Sequence, residues 1–217
     1  MWAPLSCYPV RIFVAGASGV IGVRLVPLLV AGGHVVAGMT RSPGKAGLLG
    51  KLGAQPVVGD VFDAGALIRT VSGFGPDVVI HQLTDLPDHR GDAAALSGNN
   101  DRMRTEGTRN LLAAAAAAGA GRVIAQSISW ELPTPDRRAA TAELERAVLQ
   151  AGGVVIRYGQ FYGPGTYHET GPPDPPRIHV DDAARQTLPA LAVPPGVTIV
   201  ADDRAAPAGS PGGGGGR

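Results

Sequence analysis

The chain has 217 residues, 44% of them hydrophobic, which is enough for the core of one sizeable domain. Its 19 basic and 18 acidic residues give a formal charge of +1, so it lacks the basic excess with which proteins bind nucleic acid phosphates. A single cysteine, Cys7, excludes an intrachain disulfide and a cysteine-based metal cluster, which favours a reducing compartment and predicts a cytoplasmic protein.

Short apolar runs typical of strands alternate with longer helical runs along the chain. The predicted strands are Val10–Ala15, His34–Met39, Gln55–Val58, Asp77–His81, Arg122–Gln126, Val154–Arg157 and Val197–Val200. The predicted helices are Val20–Ala31, Ala64–Val71, Arg102–Ala118, Ala139–Ala151 and Asp181–Leu191. Continuously apolar strands are typical of a parallel sheet that is covered on both faces. With right-handed crossovers, this order predicts an α/β fold with a doubly wound, mostly parallel Rossmann sheet, whose ligand crevice lies beyond the carboxyl ends of the strands.

Three glycines, Gly16, Gly19 and Gly22, lie between the first predicted strand and the first predicted helix. Glycines in this position allow a tight turn, a close approach of the backbone to a ligand and close packing of the helix on the sheet. The amides at the helix start then bind a pyrophosphate, with Ser18, Val20 and Ile21 between the glycines as further contacts. The spacing is G-x-x-G-x-x-G rather than G-x-G-x-x-G, and a plain glycine turn is the alternative.

Four stretches of the chain resemble one family. They are Val14–Gly22, Asp60-Val61, Asp77–His81 and Tyr162-Gly163-Pro164-Gly165. With them, the chain resembles the extended and atypical short-chain dehydrogenase/reductases, the NAD-dependent epimerase/dehydratase-like proteins, from about Val10 to Ala192. The resemblance implies a nicotinamide dinucleotide cofactor. It also implies that Asp60 and Val61 flank the adenine and that Gln82, Leu83 and Thr84 lie along the cofactor. For Asp60, a turn or a helix cap is the alternative.

The end of the second predicted strand indicates which cofactor is bound. An acidic residue there accepts hydrogen bonds from the ribose 2′-hydroxyl, whereas an arginine accommodates a 2′-phosphate. The strand continues into Thr40 and Arg41 without an acid. Arg41, helped by Ser42 and Lys45, therefore favours NADP(H), with NAD(H) as the alternative cofactor and a solvated surface position as the alternative role of Arg41.

The catalytic half of the family pattern is incomplete. Ser127 and Ser129 follow the fifth predicted strand, where hydride-transferring relatives carry a serine or threonine. Such relatives also carry a Tyr-x-x-x-Lys pair, in which the ammonium lowers the pKa of the phenol. Here no tyrosine has a lysine four residues later. If Glu145 aligns with the acid that often follows the pair, Arg137 and Thr141 occupy the two positions, and neither can replace the missing residues.

Other groups near the expected substrate cleft are weaker candidates for proton transfer. Tyr162 is a candidate catalytic residue, as are His168 and Glu131, but a structural turn or an exposed loop explains each of them equally well. His81, inside an apolar strand, is predicted to be a hydrogen-bonded packing residue. No His, Asp or Glu cluster has the spacing of a metal site.

The domain organisation follows from the same patterns. We expect one NAD(P)-binding Rossmann domain over residues 1–200, with a much reduced C-terminal substrate region over about 158–200, and a disordered Pro/Gly-rich tail over 201–217. Residues 1–7 do not resemble a signal peptide, and the alanine-rich stretch Leu111 to Ala120 is too short to cross a bilayer, so no membrane span is expected. The helix that begins near Gly107 contributes to the dimer interface in relatives, so the resemblance implies a homodimer. The alternative is that the apolar face of this helix packs only on the sheet of its own chain.

These observations leave two classes of function. One is an NADP(H)-binding, epimerase/dehydratase-like oxidoreductase or isomerase that acts on a small sugar-like or carbonyl substrate held near Ser127 or Ser129. The other is a non-catalytic dinucleotide-binding sensor or interaction module, which the missing Tyr-Lys pair favours. A shortened relative without activity is a third alternative.

Overall fold

The computed structural model describes residues 9–85 and 97–202. Its strands are β1 (Arg11–Ala15), β2 (Val35–Thr40), β3 (Gln55–Val58), β4 (Val78–His81), β5 (Arg122–Ile128), β6 (Val154–Tyr158), β7 (Gln160–Tyr162), β8 (Arg177–His179) and β9 (Gly196–Val200). Seven strands form one sheet in the order β3-β2-β1-β4-β5-β6-β9, and β7 pairs with β8 separately. All these pairings are parallel. The predicted doubly wound Rossmann sheet is thus confirmed, and its strand order reverses between β1 and β4, where such sheets bind ligands.

Helices connect the strands on both faces of the sheet. They are α1 (Gly22–Ala31), α2 (Ala46–Lys51), α3 (Ala64–Phe74), α4 (Ser97–Arg102), α5 (Thr108–Ala117), α6 (Pro135–Gln150) and α7 (Val180–Thr187). A π-helical segment, Met103–Gly107, joins α4 to α5. None of the helices in the described ranges combines the length and the apolar content needed to cross a membrane.

The core is divided between the two faces of the sheet. Ile12 and Val14 of β1 pack with Leu25 of α1 on one face, together with α7. Phe13 and Ala15 of β1 pack on the other face, with the apolar sides of α3 and α5. Because successive strand residues point to opposite faces, both sets must be apolar, which explains the uninterrupted apolar runs in the sequence.

The predicted strands and helices are present, with small changes at their ends. The predicted helix from Arg102 begins earlier, at Ser97, and α6 begins at Pro135 rather than Ala139. The short helix α2 and the pair β7 and β8 were not predicted. Beside the β7–β8 pair, the Gln160 amide donates to the Pro176 carbonyl over 2.8 Å.

The predicted tail lies outside the described residues except for its first two positions. Asp202 is bound to the fold, since its amide donates to the Arg177 carbonyl over 2.7 Å. The dimer contact through α5 stays a prediction.

Candidate functional site

The glycine turn lies over the reversal point of the sheet. Gly16 has φ +86°, and a Cβ there would lie 2.4 Å from the Gln82 carbonyl oxygen, so no other residue fits this contact with the end of β4. The amides of Gly16 and Ala17 donate to the Met39 carbonyl over 3.2 and 3.1 Å. The turn is therefore fixed between the carboxyl ends of β2 and β4.

The outer side of this turn is open. A Cβ on Gly22 would lie 2.4 Å from the Ala17 carbonyl oxygen, so glycine allows α1 to start directly against the turn. Gly19 is exposed, and its Cβ would contact only the Gly16 carbonyl oxygen, at 3.2 Å. The amides of Ser18, Val20 and Ile21 donate no hydrogen bond to a described group. These free amides at the start of α1 fit a pyrophosphate.

The residues predicted to select the cofactor follow β2. The Arg41 Nη2 donates to the Asp85 Oδ1 over 2.7 Å, and the Arg41 side chain is 47% exposed. The Ser42 amide donates to the Thr40 Oγ1 over 3.2 Å, and this hydroxyl also bonds the Ser18 hydroxyl over 2.8 Å. Arg41, Ser42 and the glycine turn thus form one continuous surface. Asp85, which sequence reasoning missed, is the ion-pair partner of Arg41.

The residues after β3 have clear structural roles. The Asp60 Oδ1 accepts a hydrogen bond from the Phe62 amide over 2.9 Å, which is the turn given as its alternative role. Val61 is buried, and its carbonyl accepts from the Asn110 side-chain amide over 3.0 Å. Contact of Asp60 and Val61 with an adenine stays a prediction.

The residues after β4 line the floor of the crevice. Gln82 is buried, and its Nε2 donates to the Tyr158 hydroxyl over 3.3 Å, while its Oε1 has no partner among the described residues. Burial raises the pKa of Tyr158 to about 12, so the phenol stays protonated. Leu83 is half-buried and Thr84 is exposed at the rim. A buried acceptor without a partner fits a site that is completed by a further donor.

His81 has the packing role predicted for it. Its side chain is 1% exposed, its Nε2 bonds the Thr108 hydroxyl over 3.0 Å, and its Nδ1 accepts from the Leu83 amide over 3.2 Å. Burial lowers the pKa of His81 to about 4. The imidazole is therefore neutral at physiological pH and fixes the start of the segment that follows β4.

This buried histidine should make folding depend on pH. The pKa is lower in the folded chain than the ordinary value of 6.5, so the unfolded chain takes up the proton first, and stability is lost as the pH falls from 6.5 towards 4. We expect a loss of roughly 3 kcal/mol in the free energy of unfolding over this range. When urea denaturation is measured at several pH values, the free energy of unfolding should change less with pH in His81→Gln than in wild type. His34 is less buried, so His34→Gln should alter the pH dependence of unfolding less than His81→Gln does. The same pH dependence in wild type and His81→Gln would contradict the neutral, buried state of His81.

Both candidate serines donate their hydroxyl hydrogens within the protein. The Ser127 hydroxyl donates to the Glu145 Oε1 over 2.6 Å, and Arg157 donates to both oxygens of this carboxylate, over 2.9 and 2.5 Å. Burial favours the neutral form of Glu145, but the bonds from Arg157 and Ser127 outweigh it and lower the pKa. The Ser129 hydroxyl donates to the Tyr158 carbonyl over 2.9 Å. As arranged, neither serine has a hydrogen to donate to a substrate, and their catalytic roles stay predictions.

The third catalytic candidate, Tyr162, lies in the C-terminal segment. Its hydroxyl donates to the Asp202 Oδ2 over 2.9 Å, a bond that raises its pKa, and its ring contacts His179 edge to face. His179, rather than an aspartate, caps α7, because its Nδ1 accepts from the Asp181 amide over 3.3 Å. The Asp181 carboxylate accepts a hydrogen bond from Arg24 over 2.6 Å.

Arg24 was also missed by the sequence analysis. It lies two residues into α1, and besides Asp181 it donates to the Pro164 carbonyl over 2.6 Å. Arg24 therefore connects the glycine turn to the loop at Pro164 and to the start of α7.

A cleft of about 310 Å³ lies beside the ends of β5, β6 and β9. It is lined by Ile128, Ser129, Trp130, Glu131, Leu132, Arg138, Thr141, Ala142, Glu145, Arg157 and Ile199. The Thr141 hydroxyl donates to the Arg137 carbonyl over 2.9 Å, and the alignment of these two residues with the Tyr-Lys pair of relatives stays a prediction. Within residues 9–85 and 97–202, no group of three or more His, Cys, Asp or Glu side chains is arranged to bind a metal.

Known proteins match both the sequence and the fold. A family model described as NAD(P)H-binding matches residues 16–151. A 3-diazoavenalumate denitrifying reductase from a Streptomyces species is 37% identical over 91% of this chain and 78% of that protein. A 4-hydroxy-2-methyl-3-oxo-4-farnesyl-3,4-dihydroquinoline-1-oxide ketoreductase from Stigmatella aurantiaca is 32% identical over 70% of this chain and 51% of that protein. The crystal structure of the UDP-glucose 4-epimerase of Thermus thermophilus with NAD superposes with a TM-score of 0.73 at 22% identity, over 88% of this chain and 77% of that one.

Proposed function

The chain belongs to the NAD(P)H-binding family, and we propose that it is an epimerase/dehydratase-like short-chain dehydrogenase/reductase that acts as an NADP(H)-dependent reductase of a small electrophilic substrate. The observation that carries this proposal is the open glycine turn, where the amides of Ser18, Val20 and Ile21 are free at the start of α1. Arg41 and Ser42, on the same surface, favour NADP(H) over NAD(H). The single Cys7 suits a reducing cytoplasm.

In this proposal, the residues of the chain bind the cofactor and orient the substrate. The reduced nicotinamide, when bound, supplies a hydride to the substrate. Residues 16–22 would bind the pyrophosphate, and Arg41 the 2′-phosphate. Ser127 and Ser129 would border the substrate as hydrogen-bond acceptors, because their hydrogens are bonded to Glu145 and Tyr158.

The missing proton donor bears on the class of substrate. Reduction of a carbonyl needs a proton on oxygen as hydride reaches carbon, and relatives use the Tyr-Lys pair for it. This chain has no lysine four residues after a tyrosine, and Tyr162 donates its hydrogen to Asp202. A substrate that accepts hydride without a proton therefore suits this site better than a ketone does.

The diazonium ion, which a diazo compound forms by taking up a proton before hydride transfer, has this property, and the Streptomyces relative is named as a denitrifying reductase of a diazo compound. In the protonated, diazonium form of such a compound, hydride replaces the nitrogen. The C–N bond breaks and its electron pair leaves with N2, while the hydride pair forms the new C–H bond. No protein acid is needed at the reacting carbon. We therefore favour a diazo compound as substrate, with carbonyl and sugar-like compounds as alternatives.

Turnover of two matched test substrates distinguishes a diazo substrate from a carbonyl substrate. Purified protein and deuterated NADPH are incubated with 4-carboxybenzenediazonium or with 4-carboxybenzaldehyde, and NADPH absorbance and the deuterium content of the product are followed. We expect protein-dependent formation of deuterated benzoate from the diazonium and little reduction of the aldehyde. Gly19→Leu, which should not bind the cofactor, controls for reduction in free solution.

The other outcomes are equally informative. Reduction of the aldehyde alone would assign the chain to the carbonyl reductases and overturn the diazo assignment. Binding of NADPH without turnover of either compound would support the alternative of a non-catalytic sensor. A protein that does not bind NADPH would contradict the proposal as a whole.

A further inference from the structure

The ion pair between Arg41 and Asp85 connects two sides of the candidate crevice. Arg41 follows β2 and Asp85 follows β4, and these strands flank β1, which leads into the glycine turn. The Arg41 Nη2 and the Asp85 Oδ1 are 2.7 Å apart. The carboxylate that β2 lacks in the sequence is thus placed beside Arg41 by a different strand.

Asp85 is fixed independently of this ion pair. Its amide donates to the Asn100 Oδ1 over 3.1 Å, and the Asn100 side chain is buried. The Asp85 side chain is 23% exposed and that of Arg41 is 47% exposed, so solvent and ligands reach both groups. The remaining donors of the Arg41 guanidinium bond no described residue, which leaves them free for a phosphate.

We propose that Asp85 sets the cofactor preference by opposing the 2′-phosphate at Arg41 and by accepting a hydrogen bond from an unphosphorylated 2′-hydroxyl. The inference rests on the proposed NADP(H)-binding function. A phosphate monoester carries between one and two negative charges at neutral pH, so a carboxylate beside the same guanidinium repels it. The same carboxylate is the acceptor that NAD-binding sheets place at the ribose. Asp85 therefore reduces the ratio of NADP(H) affinity to NAD(H) affinity that Arg41 alone would produce.

Half-molecules of the two cofactors isolate this effect. Titration calorimetry on the full chain uses adenosine 2′,5′-bisphosphate, which carries the 2′-phosphate, and 5′-AMP, which does not. Asp85→Asn should bind the bisphosphate about 5- to 10-fold more tightly than wild type and 5′-AMP up to about 3-fold more weakly. Arg41→Ala should weaken the bisphosphate by about 10-fold or more and change 5′-AMP little. Glu143→Gln removes the same charge from α6 and should change neither affinity.

The role of Asp85 and the binding of NADP(H) can fail separately in this experiment. An unchanged ratio of the two affinities in Asp85→Asn, or weaker binding of the bisphosphate, would overturn the role of Asp85 while leaving NADP(H) binding intact. If wild type binds neither half-molecule nor NADPH, the proposed function fails and this inference fails with it. Thermal unfolding of each variant checks that lost binding does not reflect lost fold.

Discussion

Gly19→Leu should abolish binding of both NADPH and NADH while the chain stays folded. Gly19 is exposed on the open side of the turn and does not adopt a positive φ. A Cβ there meets only the Gly16 carbonyl oxygen, at 3.2 Å, so a shift of a few tenths of an ångström accommodates a leucine. That side chain fills the space in front of the free amides of Ser18 and Val20. Loss of two or more charge-assisted hydrogen bonds weakens binding by roughly 100-fold or more. Calorimetric titration with each cofactor measures the effect.

A matched glycine separates this loss from a general effect of leucine. Gly73, exposed in α3, has open space where a Cβ would lie, and Gly73→Leu should bind both cofactors like wild type. The melting temperature of Gly19→Leu should stay within about 2 °C of wild type. By contrast, Gly16→Leu should destabilise the fold itself, because its Cβ meets the Gln82 backbone. Wild-type affinity in Gly19→Leu would remove the glycine turn from the cofactor site.

The sheet and the glycine turn follow from local patterns in the sequence. The predicted strand Asp77–His81 differs by one residue from β4, Val78–His81, whose four residues are all buried, as expected for a strand of a parallel sheet that is covered on both faces. Gly22 is predictable from local sequence too, since its tight contact with Ala17 lies within one strand-turn-helix unit. Local sequence thus determines where the cofactor crevice lies.

The pairings across the crevice are not predictable in this way. Asp85 is 44 positions from Arg41, and no periodicity relates an acid after one strand to an arginine after another. The strands β7 and β8 have three residues each, too few to produce an alternating pattern, and Arg24 contacts Asp181 only because α1 and α7 pack together. These features depend on tertiary packing, so a single sequence without relatives does not indicate them.

The hydrogen bonds that Glu145 forms with Ser127 and Arg157 stabilise the fold beside the ends of β5 and β6. Glu145→Ala leaves Arg157 without its bidentate partner and the Ser127 hydroxyl without an acceptor, in a site where Glu145 is 8% exposed. Breaking a buried ion pair costs about 3–5 kcal/mol, and the partial exposure of Arg157 favours the lower end, about 3 kcal/mol. The melting temperature should fall by roughly 5–10 °C. The double variant Glu145→Leu/Arg157→Leu, which leaves no unpaired charge, should recover part of this loss.

The same network predicts an acid-sensitive step that differs from that of His81. The pKa of Glu145 is below its ordinary 4.5 in the folded chain, so its contribution is complete above 4.5 and is lost as the pH falls through the lower folded value. The His81 effect occupies the range from 6.5 to 4 instead. Urea denaturation over both ranges should therefore show wild type and Glu145→Ala losing stability in parallel above pH 4.5 and converging below it. A difference in the free energy of unfolding between wild type and Glu145→Ala that stays constant at every pH would mean that the packing of Glu145, and not its charge, stabilises this part of the fold.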